Sequence, residues 1–405
     1  MTDRQVELLA DAAERLGDGG ISITSRGNAE LRGLRDGCGG ELAALLERGG
    51  LLPSPTHERV RNIVASPAAG LDGLGYADAQ LWVRELDALL CGEAWAAALS
   101  GRFLFVLDDG RGDVAGLGGD VTLVAADDGG RGPRPPADPP AAGEPRGAGG
   151  ATGHALVRLG GQAFRVSRAD APRAALAAAD AFLRAAADAG NGAWRVRELP
   201  EGHVPDLAGA LARAGIAAEP AADSTPPHGT RPPHGTPLAH GAPPPHGISP
   251  SHSAPLTPGP LGADAVYVLA PLGRLTAAQL RGLLPADEVR FTPWRGVVVR
   301  TDPVRLPELA AYGLIAGPDA PGAGVTACTG RPGCAKSLAD VRAEAARAPA
   351  GGLPVHFSGC ERRCGHPHGT WVDVLATRDG DYLVDGAATP RTSLPEAVAT
   401  ARTTR

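Results

Sequence analysis

Four cysteines near the C-terminal end of the chain have the residue type and the spacing of a metal site: Cys328, Cys334, Cys360 and Cys364. Five residues separate the first pair, three separate the second pair, and about twenty-five lie between the pairs. Four thiolates suit an iron–sulfur cube or a structural zinc ion, because both metals prefer soft sulfur donors. Zinc sites usually place paired cysteines about two to four residues apart, so the wider first gap favours a [4Fe–4S] cluster.

Each cysteine pair follows a strand-like stretch, GVTA before Cys328 and VHFSG before Cys360. This order predicts that both pairs lie on turns at strand ends. Gly330 and Gly365 allow backbone amides to bend toward the sulfur atoms, which is one way in which a protein tunes a cluster. We therefore expect a redox site built on two neighbouring turns.

The composition limits the other classes of function. The net charge is −6 and no run of Lys or Arg occurs, so no nucleic-acid partner is expected. The N-terminal segment lacks the apolar core of a signal peptide, and no stretch approaches about 18 apolar residues, so no membrane partner is expected either. Cys38 and Cys91 lie in Ala- and Leu-rich segments and are interpreted as apolar packing residues. Cysteines crowded into a metal motif indicate a reducing compartment, and the cytoplasm is the expected location.

Two segments are too rich in Gly and Pro for packed structure. Residues 219–262 carry histidines at every sixth position, from 228 to 252, within a Pro-rich tract. Proline at this density removes backbone donors and predicts an extended, disordered linker. Weak binding of a transition metal by the histidines is the alternative. The second segment, about 129–153, is predicted to be a long loop between two strands.

The linker separates two halves that repeat the same order of elements. The first half has the helix QVELLADAAERL, the strand ISITSRG and the helix ELAALLERG. The second has LTAAQLRGLL, one strand over VRFTPWRGVVV, and LPELAAYG. This order indicates an internal duplication. Aligning the halves sets Cys328 and Cys360 against the Arg61–Asn62 loop and the Arg102 strand. One half would then present a redox centre and the other would present cations to a ligand between them.

The cysteine spacing, together with TSRGN at 24–28, RGL at 32–34, RNIV at 61–64 and GRF at 101–103, resembles the sulfite and nitrite reductase superfamily. The resemblance covers nearly the whole chain outside the linker and the loop. It implies an α+β fold, duplicated and sulfite/nitrite reductase-like, with ferredoxin-like α/β halves around a central tetrapyrrole site. The expected segments are a first ferredoxin-like half (1–70), a first reductase-like repeat (71–218), the linker (219–262), a second ferredoxin-like half (263–318) and a cluster repeat (319–405).

The resemblance also implies roles for individual residues. The four cysteines would bind the [4Fe–4S] cluster beside the tetrapyrrole. Arginine suits bidentate pairing with the acetate and propionate groups of such a ligand. The implied catalytic residues are Arg26, Asn28, Arg61 and Arg102, and the implied substrate-binding residues are Arg26, Arg32, Arg61, Asn62, Arg102 and Arg295. The alternative for each arginine is an ordinary solvated surface charge.

The subfamily is indicated by a residue that is missing. Sulfite and nitrite reductases resemble one another in a second basic residue two places beyond the Arg102 position, where this chain has Leu104. The TSRGN and GCERRCGHP segments look instead like the precorrin-3B synthases of aerobic cobalamin biosynthesis. That likeness implies a monooxygenase that hydroxylates precorrin-3A at C20, with lactone formation, using O2 and NADH. The chain departs from the pattern at Ala29-Glu30, which places a negative charge near a polyanionic substrate.

The cofactors and partners follow from this resemblance. The chain has no G-x-G-x-x-G motif, so electrons must come from an external donor such as a ferredoxin or an NADH-dependent reductase. The resemblance adds a mononuclear non-haem iron, for which His57, His356, His366 and Glu30 are candidate ligands. Two other functions remain open. One is a sirohaem-dependent sulfite or nitrite reductase, and the other is an iron–sulfur electron carrier that needs no arginine set.

Overall fold

The structure is a computed structural model that describes residues 1–126, 153–222, 256–367 and 369–403. It contains four β-sheets and divides into two compact units, Met1–Pro53 with Pro255–Arg405, and Ser54–Ala254. Most of the predicted linker and of the predicted loop lies outside the described residues. The five segments expected from the sequence were defined by the internal repeat, whereas the two units are defined by compactness. The first expected segment, 1–70, therefore includes parts of both units.

The chain begins in the first unit, continues through the second and returns to the first. The N-terminal part of the first unit contains α1 (Asp3–Arg15), β1 (Gly20–Ile23), β2 (Ala29–Leu31) and α2 (Gly39–Arg48). The second unit contains β3 (Ile63–Ala65), α3 (Ala79–Gly92), β4 (Phe105–Asp108), β5 (Val121–Ala125), β6 (His154–Leu159), β7 (Gln162–Ser167), α4 (Ala171–Ala189), α5 (Leu207–Arg213) and β8 (Ala218–Pro220). The chain then returns to the first unit with β9 (Gly259–Pro260), β10 (Val266–Leu269), β11 (Arg274–Thr276), α6 (Ala277–Gly282), β12 (Glu288–Phe291), β13 (Gly296–Arg300) and α7 (Leu306–Ala311). It ends with β14 (Val325–Ala327), α8 (Val341–Ala345), β15 (Val355–Ser358), β16 (Val372–Ala376), β17 (Tyr382–Val384), β18 (Ala387–Thr389) and α9 (Leu394–Thr403).

Helices α1 and α6 confirm the amphipathic patterns read from the sequence. A capping box formed by Thr2 and Gln5 begins α1, and its apolar side chains recur at the helical period to face one core. That core also contains Val268 of β10, Leu280 of α6 and Val297 of β13. The helices therefore cover the sheets of the first unit and hold their strand ends in place.

The Arg-Gly pairs at 26–27 and 295–296 both lie where two antiparallel strands are joined. Strands β1 and β2 are antiparallel and are joined by the turn that contains Arg26 and Gly27. The prediction of one continuous strand over VRFTPWRGVVV is wrong, because β12 and β13 form an antiparallel hairpin there. Pro293 lacks a backbone donor for a strand ladder, and Arg295 has a left-handed φ of 62°, so the chain reverses between the two strands.

Two of the sheets have the same topology. In the second unit, β3, β4 and β5 are parallel and β6, β7 and β8 continue the sheet antiparallel. In the first unit, β14, β15 and β16 are parallel and β17 and β18 continue it antiparallel. Helices α3 and α4 cover the first of these sheets around Phe103, Phe105 and Phe182. No helix in the described ranges is both long enough and apolar enough to cross a membrane. This includes α4, which has 19 residues.

The strand ends correct the alignment of the two halves. Cys328 and Cys360 follow the carboxyl ends of β14 and β15, whereas Arg61, Asn62 and Arg102 precede the amino ends of β3 and β4. The cysteines and the arginines therefore lie at opposite strand ends of equivalent sheets, and the predicted equivalence of the cysteine loops with the Arg61–Asn62 loop and the Arg102 strand is wrong. The residues that follow β3 and β4 are instead polar and acidic, beginning with Ser66 and Asp109.

Candidate functional site

The four predicted cluster ligands lie on two loops at one edge of a sheet. Strands β14 and β15 are parallel neighbours, so their carboxyl ends meet at the same edge. The backbone N–H of Cys328 donates to the Phe357 carbonyl at 3.0 Å and fixes the first loop against the second strand. All four thiols are free of disulfides; Cys364 is exposed and the other three are partly buried.

Hydrogen bonds shape the two loops around the sulfur atoms. The Cys334 N–H donates to the Gly330 carbonyl at 2.8 Å, and the Gly359 carbonyl accepts from the Leu338 N–H at 2.8 Å. The Gly359 N–H donates to Cys328 Sγ at 3.2 Å. Backbone N–H donors to a cysteine sulfur are one way in which a protein tunes a bound cluster. A side chain at Gly359 would overlap Ser337 Oγ, so only glycine allows this approach.

The spacing of the thiols fits a cube better than a single zinc ion. Tetrahedral zinc, with Zn–S bonds of about 2.3 Å, holds its sulfur ligands about 3.8 Å apart. Although all four cysteines belong to the described part of the chain, no three of their sulfur atoms lie within 4.8 Å of one another. A [4Fe–4S] cube carries its ligands on four separate corners and spreads them further. The thiols are therefore not arranged as a closed zinc tetrahedron, and the chemistry of four thiolate donors fits the cluster.

Arg295, predicted to bind substrate, lies against both cysteine loops. Its Nη1 donates to the Ala327 carbonyl at 3.0 Å, immediately before Cys328. Its Nη2 lies so close to Gly365, immediately after Cys364, that a Cβ at Gly365 would overlap it. Burial lowers the pKa of Arg295, and the Cys328 and Cys364 sulfurs oppose this effect. The guanidinium group thus lies within electrostatic range of two predicted ligands.

The histidines predicted as iron candidates have structural surroundings. His356 is buried on β15, with Nδ1 2.8 Å from Thr326 Oγ1. Burial, followed by the charges of Arg295 and His366, lowers the pKa of His356 to about 3, so the ring is neutral at pH 7. His366 donates from Nδ1 to the Pro367 carbonyl at 2.9 Å and stacks on Trp371. Neither ring belongs to a group of three metal-ligating side chains among the described residues.

The first-half turn lies on the hairpin that carries Arg295. The N–H groups of Arg26 and Asn28 both donate to Thr24 Oγ1, at 3.3 and 3.1 Å. Gly27 packs so closely that an added Cβ would lie 3.2 Å from the Phe291 carbonyl oxygen. The predicted residues Arg26 and Asn28 are therefore brought onto the β12–β13 hairpin within the first unit.

The acidic departure at Glu30 is explained by a neighbour. Arg32 Nη2 lies 2.9 Å from Glu30 Oε2, and both side chains are partly exposed. The two charges therefore compensate each other, and Glu30 is not a spare metal ligand in this arrangement. His57 is likewise engaged, because its Nδ1 lies 2.7 Å from Ser54 Oγ and its Nε2 lies 3.0 Å from the Glu93 carbonyl oxygen.

Within the second unit, the predicted arginines precede two adjacent strands. Asn62 donates from Nδ2 to the Gly101 carbonyl and ties the Arg61 loop to the turn of Arg102. Arg61 forms a bidentate pair with Asp87, with distances of 2.6 and 2.9 Å. A substrate carboxylate would have to compete with this pair.

Arg102 is the more accessible cation of this edge. Its side chain is 49% exposed, its Nη2 lies 3.5 Å from Glu198, and its guanidinium carbon lies 5.2 Å from the centre of the Trp194 ring. A partly screened ion pair of this length is easily exchanged for another carboxylate. Leu104, two residues on, is 3% exposed and packs in the core, so this position presents no group to a ligand.

Sequence reasoning missed a buried charge network at the carboxyl ends of β3 and β4. Arg111 pairs with Asp72 at 2.7 Å and with Asp109 at 2.8 Å. Asp108 accepts hydrogen bonds from four backbone N–H groups of the following loop. The run DDGRGD directly after an apolar strand is the signal that predicts such a network. It occupies the strand ends that correspond to the cysteine loops of the other sheet.

Asp113 is the least compensated carboxylate of this network. Ser66 Oγ donates to its Oδ1 at 2.6 Å. Burial raises the pKa of Asp113 to about 7, despite the opposing hydrogen bond from Ser66, and Asp108 adds to the rise. Carboxylate oxygens of Asp108, Asp109 and Asp113 lie within 4.8 Å of one another. The guanidinium group of Arg111 already neutralises part of this group, so we interpret it as a loop-organising network.

Comparisons with known proteins agree with the fold. No protein-family model matches the chain. A segment of 92 residues is 35% identical to a ferredoxin–nitrite reductase of Leptolyngbya laminosa, covering 22% of this chain and only 18% of that protein. The structure of the Mycobacterium tuberculosis NirA protein superimposes with a TM-score of 0.65 at 16% identity, over 98% of this chain and 77% of that one. The predicted α+β, sulfite/nitrite reductase-like fold is thereby confirmed.

Proposed function

We propose that this chain is an oxidoreductase that binds a [4Fe–4S] cluster through Cys328, Cys334, Cys360 and Cys364 and acts on a tetrapyrrole. The observation that carries the proposal is the pair of cysteine loops at adjacent strand ends, with thiols that are free of disulfides and not gathered into a zinc tetrahedron. The segment similar to a ferredoxin–nitrite reductase supports redox chemistry. When bound, the cluster supplies single electrons, which an external ferredoxin or NADH-dependent reductase delivers.

The finer proposal is precorrin-3B synthase activity, the O2-dependent hydroxylation of precorrin-3A at C20 with lactone formation in cobalamin biosynthesis. Leu104 supports this choice over the reductase, because a small oxyanion needs several positive donors around it. The side chain of Leu104 is buried in the core and offers none. A monooxygenase does not need to hold such an anion, since its substrate is anchored by carboxylates at the ring edge.

Arginines are the groups that we propose for this anchoring. Arg26, Arg32, Arg61, Asn62 and Arg102 would bind acetate and propionate groups, with Arg26, Asn28, Arg61 and Arg102 nearest the reacting carbon. Acid partners hold the Arg32, Arg61 and Arg102 side chains in the structure. A substrate carboxylate then replaces the existing acid. Each contact therefore contributes to the binding free energy only the difference between the new ion pair and the one that it replaces.

The mononuclear non-haem iron belongs to the finer proposal alone. Of the candidates from the sequence, His57 and Glu30 are engaged by neighbouring groups, whereas His356 is neutral and lies beside the cysteine loops. The hydrogen bonds described above use both ring nitrogens of His57 but only Nδ1 of His356 and of His366, so these last two are the candidates that we retain.

The second candidate is a sirohaem-dependent sulfite or nitrite reductase, which the 35% identical segment favours. Anaerobic purification distinguishes the two, since sirohaem gives strong visible bands and a lone cluster gives a broad shoulder. Incubation of the purified protein with precorrin-3A, a reductant and ¹⁸O₂ should then yield a product with one ¹⁸O atom, and no product without O2. Reduction of sulfite or nitrite by a sirohaem-containing protein would overturn the monooxygenase proposal. A cluster with neither activity would support an electron carrier.

A further inference from the structure

Arg295 connects the two loops that carry the cysteines. One end of its guanidinium group donates to the carbonyl of Ala327 at 3.0 Å, and the other lies against the backbone of Gly365. Gly273 also makes room for this side chain, since a Cβ there would lie 2.6 Å from Arg295 Cδ. At two positions with positive φ, Gly273 and Gly365, the lack of a side chain therefore leaves room for Arg295.

Within the part of the chain that the structure describes, the charge of Arg295 has no acidic partner. Among the described residues it forms no ion pair within 4.0 Å of an Asp or Glu oxygen, and its electrostatic partners are the sulfurs of Cys328 and Cys364. Arg342 adds a second cation, which interacts with Arg295 and Cys328 and donates from Nη1 to the Leu272 carbonyl at 3.1 Å. Asp340 offsets part of the Arg342 charge, whereas Arg295 has no carboxylate within 4.0 Å among the described residues. A partly buried cation of this kind is costly unless another anion lies near it. A cluster bound by four thiolates is such an anion.

The backbone of Arg295 points to the same conclusion. Its φ of 62° lies in the left-handed region, which residues other than glycine rarely adopt and which costs about 1–2 kcal/mol. Glycine would suit this turn better, and Gly296 follows directly. Contacts of the Arg295 side chain therefore have to offset the free-energy cost of this backbone conformation. The structure shows such contacts with the two cysteine loops.

We propose that Arg295 is a positioning residue that joins the two cysteine loops and, together with Arg342, stabilises the reduced cluster and so raises its reduction potential. This inference rests on the proposed function. Reduction adds one electron, delivered by the external donor, and one negative charge to the cluster, and a nearby cation favours the more negative state. Arg295 then acts through the cluster and not as a ligand of a substrate carboxylate.

The test compares midpoint potentials of full-length, cluster-loaded variants in redox titrations followed by electron paramagnetic resonance. Arg295→Gln should lower the ratio of reduced to oxidised cluster at a fixed potential about tenfold, which is about 59 mV for a one-electron couple. Arg342→Gln should shift the ratio in the same direction. Arg300→Gln is the matched control, because it removes the same charge from the adjoining strand, where Arg300 pairs with Asp264 at 2.9 Å. Its midpoint should equal that of the wild type.

A second variant separates position from charge. Arg295→Lys keeps the charge but cannot reach both loops, so its midpoint should stay near the wild-type value while iron is lost faster to a chelator. If Arg295→Gln fails to load a cluster, Arg295→Lys and Arg342→Gln still measure the two effects. Midpoints of Arg295→Gln and Arg342→Gln equal to that of Arg300→Gln would overturn the inference and leave the proposed function intact. A wild type without acid-labile sulfide would overturn both, before any variant is made.

Discussion

Replacing Gly365 by alanine measures how tightly the cysteine loop is built around Arg295. Gly365 has φ 77°, and a left-handed conformation costs a non-glycine residue about 1–2 kcal/mol. The added methyl group would overlap Arg295 Nη2, so the guanidinium must move and give up its 3.0 Å hydrogen bond to Ala327. A hydrogen bond from a charged group contributes about 1.5–3 kcal/mol. The two effects sum to a destabilisation of about 2.5–5 kcal/mol.

Gly369→Ala provides the control, because Gly369 has the same φ of 77° and, its two chain neighbours aside, no atom of the described residues lies within 4 Å of an added Cβ. It should cost only the backbone part, about 1–2 kcal/mol. Because a chain with two compact units need not unfold in one step, the measurement is amide hydrogen exchange of β15 and β16 in increasing urea. Equal losses for Gly365→Ala and Gly369→Ala would refute the contact with Arg295. In the variant Arg295→Gly, Gly365→Ala should lose its excess cost.

Three further predictions address the ligands, the substrate and the buried network. Cys364→Ser should abolish the cluster, since each thiolate is one of four ligands; retention of acid-labile sulfide would contradict the assignment. Arg102→Ala should weaken precorrin-3A binding by about 0.5–1 kcal/mol in titrations of the oxidised protein, because the substrate carboxylate replaces the partly exposed pair with Glu198. Arg59→Ala, whose side chain is 83% exposed, should not weaken binding. Burial raises the pKa of Asp113 to about 7, so the folded state keeps a proton that the unfolded chain releases above about pH 4. Stability should fall by about 2–4 kcal/mol between pH 4 and pH 8, and Asp113→Asn should remove that fall in urea titrations of the Ser54–Ala254 unit; an unchanged pH profile would contradict the buried, protonated state.

The features that sequence predicted well are local. Helix α1 was readable because a capping signal and an amphipathic period lie within one short segment. The cysteine spacing identified a metal motif before any strand was known, the order of elements predicted the duplication, and the family resemblance implied the α+β fold. The hairpin between β12 and β13 was missed because its apolar residues flank the turn on both sides and read as one strand. The reversal rests on Pro293 and on the left-handed conformation of Arg295, and the antiparallel pairing of β12 and β13 shows it directly.

Features that depend on distant residues could not be read from the sequence. Asp87 lies 26 positions from Arg61, and Glu198 is far along the chain from Arg102, so neither pairing has a local signal. The alignment of the halves failed for a related reason, since it matched loops without knowing which end of a strand each one joins. Once the strands are placed, the cysteines correspond to the network around Asp109, and Arg295 is found against the cysteine loops, a contact without a local signal in the sequence.

Iron and acid-labile sulfide content of the anaerobically purified full-length chain tests the central claim most directly. The proposed site predicts about four iron and four sulfide per chain, with an electron paramagnetic resonance signal that appears on reduction. Zinc in place of iron, or iron without acid-labile sulfide, would contradict a [4Fe–4S] cluster on Cys328, Cys334, Cys360 and Cys364, and with it the redox function proposed for this chain.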